Sequence, residues 1–307
     1  MRVEFTAGDD DGRRLESVLR RFLPHQPLAA LQKALRTGDV RLNGAKATPN
    51  TKVAPGDKIG IWDALLPRPG SGSSVPGVAA PPLPEDWINF ENQDWLVVSK
   101  PSGVLVHAGE SRRPGEPPLD ERVRAWLARS PSTSLGFRPG PLHRLDKETS
   151  GLVVFSKTLA GARSFSAALA HRQVSKTYLA VLTGHLDGIQ KVQSSLIRDE
   201  SARTSRTSEE GEASVSEFMP IAWGEGLTLA RVELGTGRTH QIRVHAQSLS
   251  HPLAGDVKYG GGPSPNGLPL PWLLHAWKLS CGLFPPLTAP LAPSSVRWIK
   301  KTFKLVP

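Results

Sequence analysis

His143-Arg144-Leu145-Asp146-Lys147-Glu148-Thr149-Ser150-Gly151 is the stretch on which the reading of this chain turns. A Gly/Pro-rich approach, Gly136 to Pro141, precedes it, and an apolar run, Leu152 to Phe155, follows. The approach reads as a loop and the run as a buried strand. One acidic residue, Asp146, therefore stands in a basic, polar loop pinned against the edge of a sheet. A working carboxylate belongs in such a place: held by a rigid element, reachable by a ligand, and flanked by cations that favour its ionised form.

Working outward, Trp95 to Lys100 reads as a strand that ends in the sharp turn Pro101-Ser102-Gly103 and continues to Val106-His107. Residues 108–140 are poorly patterned apart from a helix expected at Leu119 to Arg129. A helix from about Leu159 to His171 follows the central loop, then a strand, Ser175 to Val181, carrying Tyr178, one of two tyrosines. Leu227 to Leu234 is a further strand. Gly235-Thr236-Gly237-Arg238-Thr239-His240-Gln241-Ile242-Arg243-Val244-His245 comes next, with a helix starting near Thr239 and Ile242 facing inward. The glycines here lack the third member of a dinucleotide fingerprint. His240 and His245 are five apart with Gln241 where a zinc protease needs Glu, so this is not a metal motif.

The nine-residue loop resembles the central motif of the RluA-type RNA pseudouridine synthases. Lys100-Pro101-x-Gly103 with Val106-His107, Lys176-x-Tyr178-Leu179, the run from Gly235 to His245, Gly255-Asp256 with Tyr259-Gly260, and Leu274-His275-Ala276 are similar to further landmarks of that family. The resemblance implies that Asp146 is the catalytic carboxylate, Tyr178 a functional tyrosine and Arg243 the arginine that keeps Asp146 ionised. It places His107, Arg144, Arg238 and His240 around the same cleft as RNA contacts. One departure stands out: relatives carry Gly-Lys where this chain has Gly211-Glu212, which reverses a charge. Residues 194–217, with Arg198, Arg203 and Arg206, read as an RNA-contacting hairpin or a mobile loop. Beyond Cys281 the resemblance fades, and the Pro-rich stretch 285–293 carries no readable pattern.

Toward the N-terminus, Leu15, Val18, Leu19 and Phe22 lie on one helical face. Pro24 ends that helix. A second helix is expected with Leu28, Leu31 and Leu35 inward and Gly38 as its stop. Val40-Arg41-Leu42 then alternates into the tight turn Asn43-Gly44, and a strand follows at Lys58 to Trp62. Between Arg13 and Lys46 eight Lys/Arg face two acidic residues, a local net charge of +6. This pattern resembles an S4 RNA-binding module, and the resemblance implies that Arg20, Arg21, Lys33, Arg36 and Arg41 track RNA phosphates. Such contacts position a protein and do not choose a base. Leu65 to Leu83, rich in Pro, Gly, Ser and Ala, reads as a linker.

The whole chain agrees with that reading. At 307 residues it is long enough for two domains. Its net charge of +10 points to a polyanionic partner, with RNA first. A single cysteine, Cys281, excludes an intramolecular disulfide and a multi-cysteine zinc site. No signal-peptide core and no run of about 18 apolar residues occurs, so a soluble, cytoplasmic protein is expected, with no membrane partner and as a monomer. The expected fold is α+β: a pseudouridine synthase fold with a mixed, mainly antiparallel central sheet and flanking helices, after a small α/β S4 domain. The boundaries expected are 1–62 for the S4-like domain, 63–86 for the linker and 87–307 for the catalytic domain. The expected activity is isomerisation of uridine in RNA, most readily large-subunit ribosomal RNA, with neither cofactor nor metal. Transfer RNA as substrate and a non-catalytic ribosome-assembly role are the alternatives.

Overall fold

The computed structural model describes residues 1–66, 81–108, 116–129, 134–199 and 204–305. Most of the expected linker and Arg203 lie outside the described residues. The N-terminal unit runs β1 (Arg2–Thr6), α1 (Leu15–Phe22), α2 (Leu28–Thr37), β2 (Val40–Leu42), β3 (Ala45–Lys46) and β4 (Lys58–Trp62). The four strands form one sheet in the order β1-β4-β2-β3. Leu15, Val18 and Leu19 of α1 and Leu31, Ala34 and Leu35 of α2 bury one face each, against Val40, Ile59 and Ile61 of the sheet. Gly38 ends α2 in the left-handed region with φ 84°, and its N–H donates to Ala34 O. That conformation is one glycine adopts without steric cost. Leu28, expected inward, is instead 41% exposed; it opens the helix directly after Pro27, one turn short of the core. Strand β1 was not anticipated: it is an edge strand with mostly exposed side chains.

The second unit contains β5 (Ile88–Glu91), β6 (Trp95–Lys100), α3 (Leu119–Leu127), β7 (Gly140–Pro141), β8 (Ser150–Ser156), α4 (Leu159–Ala170), β9 (Ser175–Thr183) and β10 (Gln190–Asp199). It continues with β11 (Thr204–Thr207), β12 (Glu212–Gly224), β13 (Leu227–Leu234), α5 (Gln241–Ser248), β14 (Leu274–Ser280), β15 (Leu287–Thr288) and α6 (Pro293–Phe303). These strands make one sheet with the path β11-β10-β12-β13-β9-β14-β8-β6-β5. β15 pairs with β14, and β7 with β8. The β8–β14 pairing is parallel, and the other pairings described are antiparallel.

The apolar run after the central loop is buried on both faces of this sheet. Val153 and Phe155 enter one core and Leu152 and Val154 the other. That explains why the run shows no alternation of apolar and polar residues. Its parallel contact with β14 is confined to Ser150↔His275 and Gly151↔Ala276. A Cβ on Gly151, where φ is 110°, would lie 2.2 Å from Ala276 O, so the loop's last residue has to be glycine for the strands to meet. The junction seats the central loop beside β9 and β14, in the middle of the sheet. Residues 194–199 and 204–217, read as hairpin or loop, lie mainly in β10, β11 and β12. Following the unread stretch 285–293 comes α6, whose Trp298, Ile299 and Phe303 pack with Leu179, Val181 and Leu229.

Candidate active site

The loop from His143 to Ser150 is tied down along its length. His143 Nε2 accepts from Val154 N at 3.1 Å. Lys147 O accepts from Gly103 N at 2.9 Å and from Lys100 Nζ at 2.9 Å. Glu148 accepts from the Ser102 hydroxyl at 3.0 Å, and the Ser150 hydroxyl is hydrogen-bonded to His275 Nδ1 at 2.9 Å. Lys100 is 1% exposed and also donates to Pro101 O and Val104 O, so one ammonium closes two loops. Burial lowers its pKa to about 7, with Glu148 and Asp146 opposing. Burial likewise pushes His143 down to about 3, aided by the Lys176 charge, which fits a ring nitrogen that serves as an acceptor.

Asp146 emerges from this frame with its side chain 22% exposed. Its Oδ2 is 3.3 Å from Arg243 Nη1, and its Oδ1 is 3.7 Å from His240 Nε2. Arg243 is itself held rigidly. Nε donates to Asp256 Oδ2 at 2.6 Å and Nη2 to Asp256 Oδ1 at 2.8 Å. The guanidinium is sandwiched by the rings of Tyr259 and Trp272, at 4.7 and 4.8 Å. Burial disfavours its charge, but the hydrogen bonds and charge of Asp256, then Asp146, outweigh this and raise its pKa. Arg243 thus presents one free edge of a locked fork to Asp146, a charge-assisted contact of defined geometry.

Helix α5 aims that fork. Gln241, 2% exposed, satisfies its whole amide: Oε1 accepts from Thr236 Oγ1 and Arg238 N, and Nε2 donates to Val215 O and Ser216 Oγ. His245, one turn on, is hydrogen-bonded to the hydroxyls of Ser194, Ser214 and Ser216. Just before the helix, His240 adopts a left-handed φ of 55°, and its Nδ1 is 2.8 Å from Tyr259 Oη. Burial lowers the His240 pKa to about 4 against the opposing charge of Asp146, so the ring is neutral at pH 7. Tyr178 of β9 is 7% exposed, and burial, then the Asp146 charge, raises the pKa of its hydroxyl.

Asp146, Tyr178, Arg243, Arg144, Arg238 and His240 all line one narrow cleft. The Thr149 hydroxyl, buried within the same lining residues, has no hydrogen-bond partner among the described residues. His107, expected at the cleft, is not among its lining residues; its Nδ1 lies 3.0 Å from Asp120 Oδ2 of α3 instead. The largely buried Asp120 carboxylate, also bonded to Arg124, draws that loop toward the helix. Glu212, the charge reversal, forms a 2.7 Å ion pair with Arg238. In the N-terminal unit Arg20, Arg21, Lys33 and Arg36 are exposed, whereas Arg41 bonds Gly38 O and Gly44 O of its own hairpin. The supporting roles of Lys100, Asp256 and Gln241 were not anticipated. A lysine closing an apolar strand, as Lys100 does, was the one local signal.

Comparison with known proteins identifies the family. Residues 94–248 match the family model described as RNA pseudouridylate synthase. The chain is 33% identical over 254 residues to ribosomal large subunit pseudouridine synthase D of Xylella fastidiosa, covering 81% of this chain and 72% of the relative. It is 32% identical to ribosomal large subunit pseudouridine synthase C of Escherichia coli, covering 84% of this chain and 79% of the relative. Among solved structures, human RNA pseudouridylate synthase domain containing 1 superposes with a TM-score of 0.55 at 27% identity, covering 68% of this chain and 85% of that one. The chain belongs to the RNA pseudouridylate synthase family. It is an enzyme that isomerises uridine in RNA to pseudouridine.

Proposed function

We propose that the substrate is large-subunit ribosomal RNA and that Asp146 is the nucleophilic carboxylate. The observation that carries the mechanism is the Asp146–Arg243 contact at 3.3 Å inside the cleft that Tyr178 lines. The reaction breaks the bond between ribose and uracil N1, turns the base and joins the ribose to C5; N1 gains a proton and C5 gives one up. Nothing enters or leaves overall, so no cofactor is needed. The demanding part is charge that builds on sugar or base as the first bond breaks, which a positioned carboxylate stabilises or captures. Arg243 orients Asp146 through the Nη1 contact. Tyr178, a neutral phenol, packs on the uracil or hydrogen-bonds to it.

A uridine inside folded RNA reaches such a cleft only when turned out of its stack. Arg144, exposed at the rim, is placed to fill the gap or hold a phosphate, with Arg238 and His240 beside it. Residues 1–62 act as an S4-like RNA-binding domain, 63–86 as linker and 87–307 as the catalytic domain. Arg20, Arg21, Lys33 and Arg36 face RNA phosphates. The protein works in the cytoplasm as a monomer; among the described residues no helix is long and apolar enough to cross a membrane.

The ribosomal target rests on what the relatives from Xylella fastidiosa and Escherichia coli are named for. It is tested by tritium release from 5-tritiated uridine in unmodified large-subunit ribosomal RNA and, separately, in transfer RNA. Release from the first alone is the expected result. Release from transfer RNA alone overturns the ribosomal assignment, and release from neither, with RNA binding intact, supports an assembly role.

A further inference from the structure

The cations around the cleft are mostly committed. Arg243 is forked onto Asp256, Arg238 pairs with Glu212, and Lys100 donates to three carbonyl oxygens. Lys176 differs. It stands on β9 two residues before Tyr178, in register with Leu234 of β13, which lines the cleft. It is half-buried, and its ammonium makes no hydrogen bond or ion pair with any described residue. Burial lowers its pKa and no carboxylate opposes the shift.

Its position relative to the third motif is close. A Cβ on Gly237 would come 2.9 Å from Lys176 Nζ, so the bare backbone of that glycine leaves room for the ammonium. The next residue, Arg238, lines the cleft. On the far side of Leu234 a second hollow of about 430 Å³ opens, bordered by Ser175, Gly235, Arg172 and Lys191. Arg172 and Lys191 are exposed and have no ion pair among the described residues. A band of three unpaired cations thus runs outward from the edge of the catalytic cleft.

An unpaired, partly desolvated ammonium destabilises a fold, and an apolar side chain of similar length would not. Its presence at this position calls for an anion. We infer that Lys176 is a backbone-phosphate subsite: its ammonium binds one phosphodiester of the RNA strand beside the extruded uridine, and Arg172 and Lys191 guide the strand away. The inference rests on the RNA-modifying activity and not on which RNA is modified.

The test is the salt dependence of binding of a single-stranded uridine dodecamer, followed by fluorescence anisotropy with wild type, Lys176→Met and Lys176→Arg. One lost phosphate contact lowers the slope of log K against log salt by about 0.7 for a single strand. Lys176→Met is expected to show that loss with an unchanged or higher melting temperature, and Lys176→Arg to keep the wild-type slope. On unmodified large-subunit ribosomal RNA, Lys176→Met raises KM about tenfold for one lost charged contact and leaves kcat within about twofold. An unchanged slope overturns the subsite. So does a Lys176→Met protein that melts lower or fails to fold, since that result makes Lys176 a structural residue. Absence of turnover by wild type contradicts the ribosomal target, while the dodecamer slopes still decide the role of Lys176.

Discussion

Arg243 carries two carboxylates at once, and the division between them sets the geometry of the site. Asp256, fully buried, takes Nε and Nη2, leaving Nη1 for Asp146. Asp256→Asn keeps the shape but leaves a buried guanidinium without its principal counter-charge. A loss of about 3 kcal/mol is expected from such a break, read by urea unfolding, together with a fall in turnover of about a hundredfold. Wild-type turnover in Asp256→Asn would show that the fork does not orient Asp146. Asp146, Tyr178 and Arg243 could be picked out from the sequence because each sits in a distinctive local string. Asp256 and Lys100 could not be given roles: the partner of Asp256 lies 13 residues away, and Lys100, besides the nearby Pro101 and Val104 carbonyls, reaches Lys147, 47 residues away. The Asp120 contact of His107 was illegible for the matching reason: its string resembles the family's, but Asp120 sits on a helix in a weakly patterned region.

At the scale of elements, the site depends on how narrowly β8 and β14 meet. Two residues on each strand make that contact, and Gly151 permits it. Gly151→Ala places a methyl group against the backbone of Ala276 at a φ unfavourable to L-residues. A destabilisation of about 2–4 kcal/mol is expected, with the loop carrying Asp146 pushed from Arg243. Hydrogen exchange at Leu152 to Phe155 would report it as lost protection, and unchanged protection would contradict this account of the junction. The helices α1 and α2 were legible because one-sided burial imposes a repeat on the sequence, and the buried strands β6, β8 and β13 because they concentrate apolar residues in short runs. Edge strand β1 buries little and shows little pattern. Helix α6 follows a proline-rich stretch, and its apolar residues complete a core whose other half is far away in the chain.

Across the whole molecule, the two units are joined by another buried carboxylate. Asp10 accepts from Ser134 Oγ, Leu135 N and Gly136 N at 2.8, 2.8 and 3.0 Å. Gly136 has no room for a side chain, since a Cβ would sit 2.9 Å from Val18 Cα. Acid stability is a second global property. Burial holds His245 and His240 down to about 4 and His143 down to about 3. In an unfolded chain these rings titrate near 6.5, roughly. Between those values the unfolded state binds more protons, so stability falls as pH drops from about 6.5 toward 4. His245, fully buried, accounts for about 3 kcal/mol of that fall. Melting temperature measured against pH should decline through this window, and His245→Gln should flatten the decline. A melting temperature independent of pH there would contradict neutral burial of these rings.

The central claim is that Asp146 performs the chemistry within a site whose RNA affinity comes largely from other groups. Tritium release from 5-tritiated uridine in unmodified ribosomal RNA, by folded Asp146→Ala beside wild type, tests it most directly. The account predicts no release at any time by the variant, with RNA binding within about tenfold of wild type because phosphate contacts dominate affinity. Release by the folded variant would contradict it.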